Sequence, residues 1–402
     1  MQTCNNSQLS GMKRKPLEEL TNVMDFMPKM SDKLDEDTDI PGKATLDRNN
    51  QNVHPLLPWY KHDLETTTLS YDRLQHLLHA DNEVELIDFL TQLSIFPSQK
   101  QCVLCGGGMR RKKDGKHWFW ICTRRVDGVK CNKGKRSIRT GTIFDNRNLS
   151  IQEILLVFWH YIHHLTVLQC AQFTNITQRN NTTVCYWYKV CREICTEWFW
   201  DPINTPKLGG FGKIVEMDES FFPGKPKYNR GRRLGEGAWK EEEKWVFGMT
   251  ERGSLDAIAI QVPSNRSRVS LMPIIDQHCN AGTIFCSDGW KAYNKLADHL
   301  NLDDVLHYPV NHSENYVDPG TGAHTQTIEG FWRQVKAWLP DFGMKPRDLP
   351  TYLGAFLWFR YCKQRKIHQY IHLLKCISEK RPFENETLRG ATLSAIEDQI
   401  DI

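Results

Sequence analysis

Residues 214–220 read IVEMDES: apolar Ile214, Val215 and Met217 open a strand, and the acidic letters Glu216, Asp218 and Glu219 gather toward its end. Outward from there the apolar runs keep strand length. KWVFGMT (244–250) and LDAIAIQV (255–262) read as second and third strands, and residues 268–279 as a helix. TIFCSD (283–288) is a fourth strand, a helix spans roughly 290–300, VLHYPV (305–310) is a short strand, and 325–338 is a helix. An antiparallel meander followed by alternating strands and helices gives an α/β domain with a mixed sheet. Pro202, Pro206, Gly209 and Gly210 mark a linker before it, and no internal repeat is visible.

Asp218 and Ser287-Asp288-Gly289 fall at the ends of the first and fourth strands. Carboxylates so placed point into the crevice where α/β sheets bind ligands. Two aspartates from neighbouring strands can bridge a pair of cations about 3.5–4 Å apart, the arrangement that activates water and stabilises the leaving oxygen in phosphodiester cleavage. A third carboxylate must come from a packed helix, and Glu329 in HTQTIEGFWRQVKAWL (324–339) meets that need. On this helix Glu329, Arg333 and Lys336 share one face, while Ile328, Phe331, Trp332, Val335 and Leu339 bury the other. The plainer alternative is a solvated Glu-Arg-Lys stripe supported by about 0.2–0.5 kcal/mol per pair. His312, Glu314 and His324 precede the helix and read as solvated loop residues.

The chain has thirteen cysteines, and their spacing is informative. Cys102 and Cys105 form a C-x2-C pair followed by Gly106-Gly107-Gly108, and Cys122 and Cys131 complete a set of four with eight residues between them. Four thiolates suit tetrahedral zinc, with isolated buried thiols as the alternative and His117 as a substitute ligand. Such a zinc ribbon either staples a segment too small for its own core or, given the basic residues around it, touches DNA. Basic clusters recur at Arg110 to Lys113, at Lys133, Lys135, Arg136 and Arg139, and at Arg230, Arg232 and Arg233, all suited to phosphate but equally to solvated loops.

Residues 1–80 are polar and aperiodic and read as mostly disordered, with Lys13-Arg14-Lys15 a candidate nuclear import signal. Residues 81–148 hold a helix and the ribbon. Residues 149–205 form a helical segment, starting at a Ser150/Glu153 capping box and continuing through 166–176 and 182–198, with Thr182-Thr183 as the last cap. This outline fits a helix-turn-helix and equally any three-helix bundle. Trp187, Trp198 and Trp200 recur at core spacing. Residues 206–365 make the α/β domain and 366–402 a C-terminal tail. A net charge of +4 proves no partner by itself; no run is long and apolar enough for a membrane span, and no secretory signal opens the chain, so it is expected inside the cell, in the nucleus.

The strings VEMDES, FCSDGWKAY and HTQTIEGFWRQVK, in that order, resemble the signature segments of the Merlin and ISXO2-like DDE transposases related to bacterial insertion sequences. The C-x2-C ribbon, SIRTGTIFDNRNLSIQEIL and the late LGAFLWFRY are similar too, so the resemblance runs from Asn82 to Arg360. It implies a ribonuclease-H-like catalytic domain whose triad is Asp218, Asp288 and Glu329. The family's basic residue seven positions after the acidic one falls on Lys336. Implied with it are two magnesium or manganese ions, cleavage at transposon ends and strand transfer into target DNA. Double-stranded DNA, both terminal inverted repeats and target, would be the partner, with at least a dimer to bring two ends together. Arg333, Arg230, Arg232 and Arg233 are further candidates for DNA contact, and KEEEK (240–244) reads as a surface insertion. The rival readings are a host-recruited DNA-binding regulator that no longer transposes and a ribonuclease-H-like nuclease with another substrate.

Overall fold

Ser70 caps the first helix, α1 (Tyr71–Leu78), by accepting the Arg73 N–H at 3.2 Å. α2 (Glu83–Gln92) follows and buries Leu86, Ile87, Phe89 and Leu90, the face that the spacing from Asn82 predicts. Folded structure therefore begins before residue 80: Leu74 and Leu77 of α1 are buried, in a stretch whose composition suggests disorder. This computed structural model describes residues 69–383, except 116, 127, 132–134, 146–147, 175, 177–180, 223–244, 264, 311–322, 341–343 and 345. Lys13-Arg14-Lys15, Lys133, Arg230, Arg232, Arg233, the KEEEK insertion, His312 and Glu314 lie outside the described residues.

Strands β1 (Met109–Asp114), β2 (His117–Cys122) and β5 (Lys135–Ser137) form an antiparallel sheet, with β3 (Arg125–Val126) and β4 (Val129–Lys130) as a separate ribbon. Alternation along β1 separates its basic run into two faces. Arg111 pairs with Asp88 at 2.9 Å and Lys113 with Glu83 at 2.8 Å, so this face docks on α2, where the Trp118 indole also donates to Glu83 at 3.1 Å. Arg110 and Lys112 project from the opposite face.

Ser150 and Glu153 close the capping box that opens α3 (Ile151–Ile162). Thr166 and Gln169 close a second one, unforeseen in the sequence, at α4 (Val167–Phe173). α5 (Thr182–Phe199) begins at Thr182 with Asn181 at its cap position, one residue earlier than the threonine cap expected, and without a side-chain capping bond. It buries Val184, Trp187, Tyr188, Cys191 and Ile194, with Trp198.

The second sheet has the order β10-β9-β6-β7-β8. β6 (Ile214–Phe221), β7 (Trp245–Glu251) and β8 (Ala257–Val262) are the antiparallel meander; β9 (Ile284–Asp288) and β10 (Leu306–Val310) run parallel to β6. The mixed α/β expectation is met. α6 (Arg268–His278) links β8 to β9. The helix expected near 290–300 is instead two short 3-10 turns, 291–293 and 296–299, separated by Lys295 in the left-handed region at φ 54°. α7 (Gln326–Trp338) follows β10, then α8 (Leu349–Gln364) and α9 (Gln369–Lys380).

The boundaries read at 205/206 and 365/366 are not gaps in packing. α9 lies in the stretch that reads as a tail, yet Tyr370, Ile371, Leu373, Leu374 and Ile377 are buried. The Tyr370 hydroxyl donates to Leu155 O at 3.1 Å and Trp198 Nε1 to Glu379 at 2.9 Å, so α9 closes over α3 and α5. α8 joins the same core: Thr196 Oγ1 donates to Thr351 O at 2.9 Å, and a Cβ at Gly354 would come 2.4 Å from the Thr196 methyl. α8 also ties to the meander through Arg360 Nε, which donates to Leu255 O at 2.9 Å. A helical segment with apolar residues on several sides could not bury them alone, and the C-terminal helices cover them. The described residues accordingly fall in one compact unit.

Candidate active site

β6 runs four residues past the apolar letters that announce it, because β7 pairs it to Phe221; Asp218 faces Gly248 across that ladder. On its other side β6 meets β9 only from Ile214 to Glu216, in the register Ile214↔Ile284 and Glu216↔Cys286. Continued by two residues, that register sets Asp288 opposite Asp218, just where the two strands part. Alternation places both aspartates on the sheet face that α7 covers.

Each aspartate has one oxygen fixed by a backbone donor. Asp218 Oδ1 accepts from Glu219 N–H at 2.8 Å, and Asp288 Oδ1 from Trp290 N–H at 3.0 Å. The second oxygen of Asp218 accepts the indole N–H of Trp332, on α7, at 3.0 Å. Gly248 makes that reach possible, since a Cβ there would stand 2.5 Å from the Trp332 ring. Burial raises the Asp218 carboxyl to about 6, and the charges of Asp288 and Glu329 add to the rise. The three acidic residues are therefore neighbours, with Asp218 and Asp288 half-buried and Glu329 exposed on the first turn of α7.

The α7 stripe divides as its spacing predicts: Ile328, Phe331, Trp332 and Val335 are buried, whereas Arg333 and Lys336 are exposed beside Glu329. Lys336 Nζ stands 5.6 Å from the centre of the Phe222 ring.

What orients this helix is a residue to which the sequence alone gives no role. Glu216 is fully buried and accepts three donors, Arg252 Nε at 2.6 Å, Thr327 Oγ1 at 2.9 Å and Ile328 N–H at 3.0 Å, and His324 Nδ1 stands 3.3 Å away. Arg252 in turn donates to His324 O at 2.8 Å. The carboxylate thus satisfies one orphan N–H, that of Ile328, at the start of α7, where negative charge is favoured, and pins the turn carrying Glu329 to β6. An acidic letter two positions before Asp218, on the inward phase of an otherwise apolar strand, was the available signal. Glu219 points to the other face, where the Tyr293 hydroxyl donates to it at 2.6 Å. Its carboxyl rises to about 7 through burial, against that hydrogen bond and with the charges of Asp218 and Asp288.

Residues 207–361 match the family model of the ISXO2-like transposase domain. The mixed sheet, the three acidic residues and α7 fall within the matched residues, and α8 does so as far as Tyr361. No curated protein and no solved structure matches the chain.

Away from the matched residues, the four predicted cysteines come together. Sγ of Cys102 and Cys131 stand 3.7 Å apart and those of Cys105 and Cys122 3.4 Å, beyond the roughly 2.05 Å of a disulfide. All four ligand atoms lie within 4.8 Å of one another, and among the described residues no other group of three or more His, Cys, Asp or Glu side chains is so closely gathered. The three carboxylates are neighbours at longer range. Edges of this length suit a tetrahedron with metal–sulfur bonds of about 2.3 Å. Burial pushes the Cys102 thiol up, but the backbone N–H groups of Leu104 and Cys105 and the Cys131 thiol outweigh it and bring Cys102 down to about 7. His117 is exposed on β2 and outside the set.

Proposed function

We propose that the chain is a DDE-type DNA transposase of the Merlin type, with Asp218, Asp288 and Glu329 as its catalytic triad on a ribonuclease-H-like sheet. The observation that carries this reading is the register that sets Asp218 and Asp288 side by side, with the Glu329 helix fastened to Asp218 through Trp332 and to the same strand through Glu216. A set made only of carboxylates, with one member raised by burial and by the charges of the others, calls for hard divalent cations. Asp218, Asp288 and Glu329 would hold two magnesium or manganese ions. When bound, such ions supply activation of water and stabilisation of the leaving oxygen.

The chain's own residues do the rest. Glu219 N–H, Trp290 N–H and the Trp332 indole fix the aspartate oxygens, so little reorganisation is needed as charge develops. Lys336 and Arg333, exposed beside Glu329, position the phosphodiester backbone. Water attacks phosphorus at the transposon end and breaks the P–O bond to release a 3′-hydroxyl, which then attacks a target phosphate in the same manner. The cysteine set holds zinc, and the double-stranded partners are the terminal inverted repeats and the target. Two ends processed together require at least a dimer, acting in the nucleus.

The test is an in vitro cleavage and strand-transfer assay with manganese, on DNA carrying the flanking repeats, comparing the full chain with Glu329→Ala. Joined products from the parent alone support the reading. Binding without any metal-dependent cut by the parent transfers the assignment to a host-recruited DNA-binding regulator.

A further inference from the structure

Three residues from different elements stack at the end of the sheet that carries the acidic pair. Trp245 is the first residue of β7, Arg266 lies in the loop after β8, and Trp290 follows β9. In this topology all three positions fall at the end where β6 passes Asp218. The Arg266 guanidinium stands 3.8 Å from the centre of the Trp245 ring and 4.7 Å from that of Trp290. Trp245 pairs with Phe221, so it belongs to the face opposite α7, the face to which Glu219 also points. There the Arg266 charge acts on Glu219.

The stack has features that a purely structural role does not require. Arg266 has a left-handed backbone, φ 42°, which side-chain-bearing residues rarely adopt, and its N–H donates to Pro263 O at 3.0 Å. Its buried Nε has no hydrogen-bond partner, and no ion pair joins it among the described residues. Trp290 keeps 37% of its surface exposed, two residues from Asp288. A planar cation between indoles is preorganised for a phosphate, and an exposed indole next to it offers a stacking surface to a base.

We propose that Trp245, Arg266 and Trp290 form a binding site for a single nucleotide of the DNA strand that passes the acidic pair, its phosphate on Arg266 and its unpaired base on Trp290. The proposal rests on the DNA-processing reading above and adds a contact on the face opposite Lys336 and Arg333. A strand held from both faces cannot slide away from the carboxylates. Trp245 is the inner member, holding the guanidinium flat.

The test uses the full chain with Asp218→Asn, which removes cutting, and a duplex with a short single-stranded overhang carrying 2-aminopurine. Anisotropy reports affinity and its salt dependence, and 2-aminopurine quenching reports stacking. Trp290→Ala should abolish the quenching and weaken binding about tenfold with an unchanged salt slope. Arg266→Ala should lower the slope by about 0.7, one single-strand phosphate, while Arg266→Lys restores the slope but not the full affinity. Trp290→Phe should keep part of the quenching, which separates stacking from folding. Variants that match the parent in affinity, quenching and slope overturn this site and leave the triad reading standing. A parent that binds no DNA at all overturns both.

Discussion

The indole N–H of Trp332 donates to Asp218 Oδ2 at 3.0 Å, joining α7 to β6 through one polar hydrogen on an otherwise apolar ring. Trp332→Phe keeps most of the packing and removes that donor. Partners of this kind set the orientation of a metal-binding carboxylate, and their loss lowers metal affinity or activity by about 10–100-fold. The variant should therefore need more manganese for half-maximal cleavage while its melting temperature stays near the parent's. A manganese titration that superimposes on the parent's refutes the role.

Gly248 faces Asp218 and leaves the space in which Trp332 lies. Gly248→Ala places a methyl 2.5 Å from the Trp332 ring, so the ring or the strand must shift. Overpacking of this sort costs about 1–3 kcal/mol. Chemical denaturation should show that loss, and cleavage should fall with it because the indole can no longer reach Asp218. A stability equal to the parent's counts against the close approach.

Glu216 is the buried anchor of α7. Glu216→Ala leaves the Arg252 guanidinium without its carboxylate and uncaps the helix, a change in the range of about 3–5 kcal/mol for a broken buried pair. Urea unfolding measures it. Pairing Glu216→Ala with Thr327→Ala in a double-mutant cycle should reveal coupling, since both act on one hydrogen-bonded site; strictly additive losses contradict the shared anchor.

Cys105→Ser removes one of four sulfurs that lie within 4.8 Å of one another. Metal analysis of the purified chain should find about one zinc in the parent and markedly less in the variant, with proteolysis opening between residues 101 and 138 first. Full zinc content in the variant refutes the tetrahedral set.

Three histidines give stability a pH dependence of defined sign. Burial lowers His160, His278 and His372 to about 4 each, with the nearby charges of His163, Lys207 and Lys375 respectively adding to it. Nδ1 of His160 and Nε2 of His372 are buried without a hydrogen-bond partner. The unfolded chain binds these protons near pH 6.5, the folded chain only near 4, so protons favour unfolding between those values. Asp218 and Glu219, raised to about 6 and about 7, take up protons on folding and oppose this over the same window. The histidine contribution is therefore read in an Asp218→Asn, Glu219→Gln background, where the urea midpoint should be flat above about pH 7 and fall as the pH drops from 6.5 toward 4. Equal midpoints at pH 7 and pH 5 would be the contrary result.

Much of this molecule was legible locally. Strand type, helix starts and the buried face of α7 follow from periodicity and capping letters, because they depend on residues within a few positions of one another. The cysteine set was legible as well, since a C-x2-C pair on a glycine turn with two more cysteines close behind it supplies the four soft ligands that one tetrahedral ion needs. Partnerships across the chain were not. Glu216 and Arg252 read as scattered charges until β6 and β7 pair, and Trp332 reads as core until Gly248 is seen to admit it beside Asp218. β6 runs past its apolar opening letters through the polar Asp218, Glu219 and Ser220 because pairing to β7 holds them in the ladder. α9 was missed because a short amphipathic run has no meaning until α3 and α5 present the surface it covers. Sequence by itself determined the α/β class, the acidic residues and the four-cysteine set, as these are properties of local pattern and of side-chain chemistry. Only the tertiary structure decided which charges neutralise one another, which indole meets which carboxylate, and that the helical segment and the sheet domain share one core, because those depend on distances that chain separation does not reveal.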